Sequence, residues 1–268
     1  MLRTQVTDMA RRPTTHLTKS LAATALALAA LAPALPCAAG TAEEAIHSPG
    51  RLQQDLERDA REQPAVIIDL LDIGPGDRVA DIFGGAGYYS ELLGRVVAPG
   101  GEVLLHNNQA YLQYAAAGLQ RRFDGREVPN VVRHDREPAD LGLGENRLDA
   151  ALIIMSYHDL YFSEENWPAI DRADFMGQIV RALKPGGRFL IVDHQAAAGA
   201  GATVAHSLHR IEAATARRDI EATGLVYVGG TEVLRNPGDD HSLNVFDPAI
   251  RGRTDRFVQV YAKPEAPK

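Results

Sequence analysis

The sequence predicts an α/β fold built on a doubly wound, mostly parallel sheet, and three observations carry that expectation. Strand-like apolar runs alternate with helical patterns between residues 78 and 192, which is the rhythm of successive βαβ units. Two of those runs, 148–155 and 188–192, are apolar on both faces, as strands in the middle of a parallel sheet must be. The first run, 78–83, leads straight into a glycine-rich turn and then a helical pattern.

Residues 1–42 stand outside this rhythm. Arg3, Arg11, Arg12 and Lys19 make a basic start, residues 21–35 are uncharged and rich in Leu and Ala, and small residues follow, which is the form of a signal peptide cleaved after Ala39 or Ala42. The apolar run falls short of the roughly 20 residues that span a bilayer and is broken by Pro33 and Pro36, so export, most simply to a periplasm, is expected without stable membrane insertion. Arg11-Arg12 matches a twin-arginine signal only as a dipeptide, and Pro36 sits where lipidation of Cys37 needs a small residue.

Residues 43–268 read as one domain. Two helices open it, a charged amphipathic one at 51–63 and an apolar one at 64–71 that Gly74-Pro75-Gly76-Asp77 ends. Strands at 78–83, 102–106 and 130–133 alternate with helices at 88–97 and 109–123. A strand at 148–155, a helix at 171–183, the turn Lys184-Pro185-Gly186-Gly187 and a strand at 188–192 continue the series. The last third departs from it, with a helix at 207–223, a strand at 225–233 and a final strand at 256–262. The polar loop at 236–255 is long for a connection and is either a functional lid or a solvated excursion.

Cys37 is the only cysteine, so cleavage beyond it leaves no thiol, and the chemistry must use oxygen and nitrogen groups. The formal charge of −7 becomes about −10 once residues 1–39, with four positive charges and one negative, are removed. That excludes nucleic acid as a natural partner, because a phosphate backbone needs a basic surface, and favours a small or cationic substrate.

The sharpest local signal is Val79-Ala80-Asp81-Ile82-Phe83-Gly84-Gly85-Ala86-Gly87-Tyr88-Tyr89. Glycines let the backbone turn tightly and approach a ligand, and the following helix offers the positive end of its dipole. With four further places that agree in order and spacing, the chain resembles the class I S-adenosylmethionine-dependent methyltransferases over residues 64–263. The resemblance implies a Rossmann-like sheet with an antiparallel last strand, and S-adenosylmethionine as cofactor. In that family an acidic residue ends the first strand, the glycine loop holds the methionine part, the end of the second strand takes the ribose hydroxyls, and an acidic residue after the third contacts the adenine. The matching positions here are Asp81, then Gly84, Gly85 and Gly87, then Asn107, then Asp135. Leu148-Asp149-Ala150 opens the fourth strand in the family's manner, and Leu183-Lys184-Pro185-Gly186-Gly187 is the family's common turn before the fifth. Phe83 stands where the family has its first loop glycine, which implies a different path for the turn, and His106-Asn107-Asn108 leaves a neutral acceptor for the ribose in place of an acid. The His-Asp step after the fourth strand and the Arg-Asn-Pro…Asp-Asp-His tail resemble a subgroup of bacterial methyltransferases with export signals.

Ligands of open α/β sheets sit beyond the carboxyl ends of the strands, which singles out Tyr157, His158, Asp159, Asp193 and His194. For methyl transfer to a hydroxyl or ammonium a base is needed; His158 is the candidate, with Asp159 or Asp193 orienting it. The alternative is that Asp159 caps a short helix and His158 fills a polar boundary site. His194, His206, His209 and His241, the last beside Asp239 and Asp240, suit zinc, iron or manganese as a set. Lone helical histidines more often serve as hydrogen-bonded boundary residues, so no metal is assigned. Three functions follow: a methyltransferase acting on a small molecule, a non-catalytic metabolite-binding module of the same fold, or a His/Asp metal-dependent protein.

Overall fold

A computed structural model describes residues 40–265; the signal-like segment, except for its last three residues, lies outside them. In chain order the elements are α1 (Ala42–Ile46), α2 (Gln53–Glu62), α3 (Pro64–Asp69), β1 (Arg78–Ile82), α4 (Tyr88–Val96), β2 (Glu102–Asn107), α5 (Gln109–Phe123), β3 (Val131–Asp135) and β4 (Leu148–Ile154). A 3-10 turn (His158–Tyr161), α6 (Arg172–Ala182), β5 (Leu183–His194), α7 (Ala205–Leu208), α8 (Ala213–Glu221), β6 (Val226–Thr231) and β7 (Arg256–Ala262) follow.

The seven strands run β3-β2-β1-β4-β5-β7-β6. β1 to β5 are parallel, and β7 lies antiparallel between β5 and β6, as the resemblance implies. Alternate strand residues serve opposite faces. Val79, Ala150 and Leu152 pack with α1, α3 and α4, whereas Ala80, Ala151 and Ile153 pack with α6 and α8.

Order reaches back into residues that the sequence reading leaves with the leader. The Thr41 hydroxyl accepts the Glu44 N–H at 3.1 Å and the Glu44 carboxylate accepts the Thr41 N–H at 2.8 Å, a capping box that starts α1. Ala42 and Ala45 are buried.

The helix expected at 207–223 is two helices. His209 takes a left-handed backbone (φ 54) that ends α7. Beyond it the Ile211 N–H donates to the His194 carbonyl and the Ile211 carbonyl accepts from Ala196, each at 3.0 Å, which draws the chain in beside β5. Arg210 is fully buried and donates to both oxygens of Asp239, at 2.9 and 3.1 Å. The 236–255 loop is therefore pinned at buried Asp239 and Asp255, the latter accepting from Arg235 through both oxygens, while Asp240, Ser242, Phe246 and Arg253 are exposed.

One buried cation ties the helices to the glycine turn. Arg122 of α5 is 1% exposed and donates to Asp55 of α2 at 2.8 Å, to Glu91 of α4 and to the Ala86 carbonyl. Burial pushes the Glu91 carboxyl up, but hydrogen bonds from Arg126 and Arg95 and the Arg122 charge outweigh it and hold the group below the usual carboxylate range. Arg122→Met leaves buried Asp55 without its partner and Glu91 without one of its three, and is expected to cost about 3–5 kcal/mol in urea unfolding. Arg78→Met, which breaks the largely exposed pair with Glu102, is expected to cost about 0–1 kcal/mol in the same assay.

Candidate functional site

A cleft of about 450 Å³ opens where β1 and β4 end, within the roughly 300–1,000 Å³ typical of small-molecule sites. The turn contributes Phe83, Gly84, Gly85 and Ala86; the end of β4 contributes Ile154, Met155 and Ser156; α2 contributes Gln54, Asp55, Arg58 and Arg61; and Tyr88, Tyr111 and Arg122 complete the lining.

Two residues of the lining hold backbone conformations natural only to glycine, Phe83 at φ 53 and Met155 at φ 56, at about 1–2 kcal/mol each. Phe83 thus adopts the left-handed geometry open to a loop glycine. Its buried ring offsets the strain by stacking on Tyr111 at 5.2 Å and on Phe175 at 5.6 Å. At Gly84 a Cβ would stand 2.7 Å from the Asp81 carboxylate, so only glycine fits. At Gly85 (φ 58) nothing lies within 4 Å of that position, and the turn is open there.

The cleft is rich in arginine although the chain as a whole is anionic. Arg58, Arg61 and Arg122 line it with Asp55; Arg122 pairs with Asp55 and Glu91, and Arg58 and Arg61 each lie 3.3 Å from buried Glu62. The Arg58 guanidinium lies 4.2 Å over the Tyr88 ring, and its buried Nε is 3.3 Å from Glu62 Oε1, an ion pair without hydrogen-bond geometry. With α4 starting at Tyr88, the positive end of its dipole adds to this field. The arrangement fits a bound carboxylate.

Of the positions matched to the family, Gly84 and Gly85 line the cleft and the others do not. Gly87 is the N-cap of α4, closed in by Leu105 and Arg122. Asp81 is buried and accepts from the Ser90 hydroxyl at 2.6 Å; burial raises its carboxyl to about 6. Asn107 is not free for a ribose, because its amide accepts the Gly85 N–H at 2.9 Å and donates to the Gly85 carbonyl at 3.0 Å, locking the turn from below. Beside it His106 is buried, held neutral by burial at about 4; it donates to the Arg136 carbonyl at 3.0 Å and accepts the Phe83 N–H at 3.3 Å. Asp135 pairs with Arg133 and lines a separate hollow with Gln109, Leu112, Arg136, Glu137 and Asp140.

His158, Asp159 and Asp193 do come together, but not as a base and its support. His158 is buried off the cleft; its Nδ1–H donates to Asp193 Oδ1 at 2.8 Å and its backbone N–H to Asp193 Oδ2 at 2.7 Å, while Nε2 lies 3.1 Å from Asp159 Oδ1. Burial lowers the imidazole's affinity for a proton, yet the two carboxylates outweigh it and hold the ring protonated well above its ordinary range. A ring so held has no lone pair for a substrate proton. Asp159 reaches the cleft only through the Tyr111 hydroxyl, at 3.4 Å, which also shares a short hydrogen bond with Ser156.

The histidine set disperses. His194 is paired with the Thr254 hydroxyl at 2.7 Å, His206 is exposed near Glu164 at 3.4 Å, and His241 lies 3.0 Å from Asp255. His209 alone of the set stands at His158, with its Nδ1 3.3 Å from Nε2.

The lining residues that the sequence reading missed, Asp55, Arg58, Arg122, Tyr111 and Ser156, are brought in by long-range packing; Arg122 and Asp55 are 67 positions apart. The visible signal was the charged amphipathic helix at 51–63.

No family model matches the chain. It is similar to the ubiquinone/menaquinone biosynthesis C-methyltransferase of Ectopseudomonas mendocina, 30% identical over 127 residues, 47% of this chain and 45% of that protein. The chain thus spans under half the length of that curated relative. Among solved structures, a SAM-dependent methyltransferase from Aquifex aeolicus superposes with a TM-score of 0.54 at 16% identity, over 77% of this chain and 93% of the other. Geranyl diphosphate methyltransferase in complex with SAM does so with a TM-score of 0.52 at 15% identity, over 82% and 94%. The chain has the class I methyltransferase fold. A fold hosts many chemistries, so activity has to be argued from the cleft.

Asp81 gives the turn a pH signature. The folded carboxyl keeps its proton up to about pH 6 while the unfolded one loses it near 3.8, so the folded state binds more protons in that window and stability falls as pH rises through it. Asp81→Asn keeps an oxygen acceptor for Ser90 without the titration, and its urea midpoint is expected to lack that fall between about pH 4 and pH 6.

Proposed function

We propose that this chain is an S-adenosylmethionine-dependent methyltransferase acting on a small-molecule acceptor, with the cofactor held between the glycine turn and α2. The observation that carries this reading is one cleft containing both the open glycine turn and the Arg58 guanidinium. The likeness to a C-methyltransferase and to solved SAM-dependent enzymes supports it.

The residues present fit the amino-acid half of the cofactor directly. Arg58 would take its carboxylate together with the N-terminus of α4, and the bare face of Gly85 leaves room for its chain. The Phe83 and Tyr111 rings offer apolar surface to the purine, while Asn107 acts at one remove by fixing Gly85. The bound cofactor supplies an electrophilic methyl group on a sulfonium. The chain's own part is to align the partners, since among the described residues no free base lines the cleft: Asp55 is paired with Arg122, and burial pushes the Tyr111 hydroxyl far up. The acceptor is therefore one that is nucleophilic without losing a proton to the protein.

Calorimetry with S-adenosylhomocysteine is expected to give a micromolar Kd, weakened about 10–100-fold in Arg58→Gln by the loss of a charged hydrogen bond. No detectable binding at millimolar ligand overturns the reading. The lack of a base favours a second reading, a non-catalytic metabolite-binding module. It is upheld if the homologue binds but no methyl label passes from the cofactor to any low-mass acceptor of a cell extract.

We also infer that residues 1–42 direct export. Among the described residues no helix is long and apolar enough to cross a membrane. Fused to alkaline phosphatase, residues 1–42 are expected to give active, processed enzyme outside the cytosol; an inactive, unprocessed fusion counts against export.

A further inference from the structure

Behind Tyr111, away from the cleft, three side chains bring one ligand atom each to a common point. His158 Nε2 lies 3.1 Å from Asp159 Oδ1 and 3.3 Å from His209 Nδ1, and His209 Nδ1 lies 3.9 Å from Asp159 Oδ1. We propose that His158, Asp159 and His209 bind a divalent first-row transition ion, with Zn²⁺ as the probe of choice, in a two-histidine, one-carboxylate site. This goes beyond the methyltransferase reading and does not depend on it.

The separations suit the assignment. Ligands about 2.0–2.2 Å from one ion stand roughly 3–3.5 Å apart in tetrahedral or octahedral arrangement. Two of the three edges already have that length, and a small rotation of the His209 ring shortens the third. The support behind His158 is the one that metal-binding histidines use: buried Asp193 accepts the Nδ1–H at 2.8 Å and the backbone N–H at 2.7 Å, which fixes the ring and directs Nε2 at the group, and the ion would displace to solvent the proton that Nε2 carries in the metal-free ring. Asp159 and Asp193, both buried, supply the negative charge that a divalent ion requires.

The surroundings leave an entry. His209 is 24% exposed at its side chain, with the Phe162 ring at 5.7 Å and the Phe246 ring at 4.9 Å as apolar walls. His194, whose ring is 6.1 Å from that of His158, is taken by Thr254 and is no ligand. Three protein ligands leave positions for water or a substrate oxygen. Since Asp159 touches the Tyr111 hydroxyl of the cleft wall, an ion here sits one side chain from the cofactor site.

The test uses the full chain purified without a histidine tag, stripped with a chelator and titrated with Zn²⁺ by calorimetry and with Co²⁺ by visible absorption. One equivalent is expected to bind, with the Co²⁺ bands of an ordered site. Asp193→Asn is expected to weaken Zn²⁺ about 10–100-fold. His209→Gln, at a partly exposed position whose change the fold should survive as judged by circular dichroism, is expected to abolish binding, while His206→Gln leaves it unchanged. Failure of the wild type to bind a stoichiometric ion, or unchanged binding in folded His209→Gln, overturns the proposal. S-adenosylhomocysteine calorimetry on the stripped protein reads the cleft separately, so either proposal can fail alone.

Discussion

A guanidinium sealed beneath the glycine turn governs the rest of this molecule. Arg122 sits between the carboxylates of Asp55 and Glu91 and also grips the Ala86 carbonyl, so a single side chain of α5 fixes α2, α4 and the turn against one another. Taking three charges out of water is expensive, and such a group is a weak source of net stability. What it supplies is position. The approach of α2 to the turn makes a cleft out of a bare sheet edge and places Arg58 above Tyr88.

The strand ends divide the remaining work. β1 and β4 open onto the cleft, each ending in a strained left-handed residue, Phe83 or Met155. β2 ends closed, with His106 and Asn107 spent on the backbone of the turn instead of on a ligand. The ends of β4 and β5 carry the ionic group around His158, and Tyr111 is the contact between that group and the cleft. A proposed cofactor site and a proposed ion site thus lie on the same edge of the sheet, separated by one phenol.

Much of this was legible in the sequence wherever local pattern decides structure. The bounds of α5 and β7 match the expected ones to the residue, because helical and alternating periodicity are properties of neighbouring positions. The glycine turn was legible for the same reason, but the left-handed backbone of Phe83 was not: the missing glycine implied a different path. The break at His209 was not, because Ile211 pairs beside β5 and Arg210 answers Asp239, 29 positions later. Nor was the protonated state of His158, which Asp193 sets from 35 positions away. Asn107 was matched to a ligand by position along the chain, but side-chain direction in three dimensions gave it to Gly85.

Arg58, whose charge Glu62 shares only through Nε, still presents its guanidinium to the cleft and makes it a small ion exchanger. Any simple anion in the surrounding medium competes for the same guanidinium, so the apparent affinity of a carboxylate ligand becomes a property of the buffer as much as of the protein. Sulfate or phosphate would mask occupancy that a weakly coordinating salt reveals.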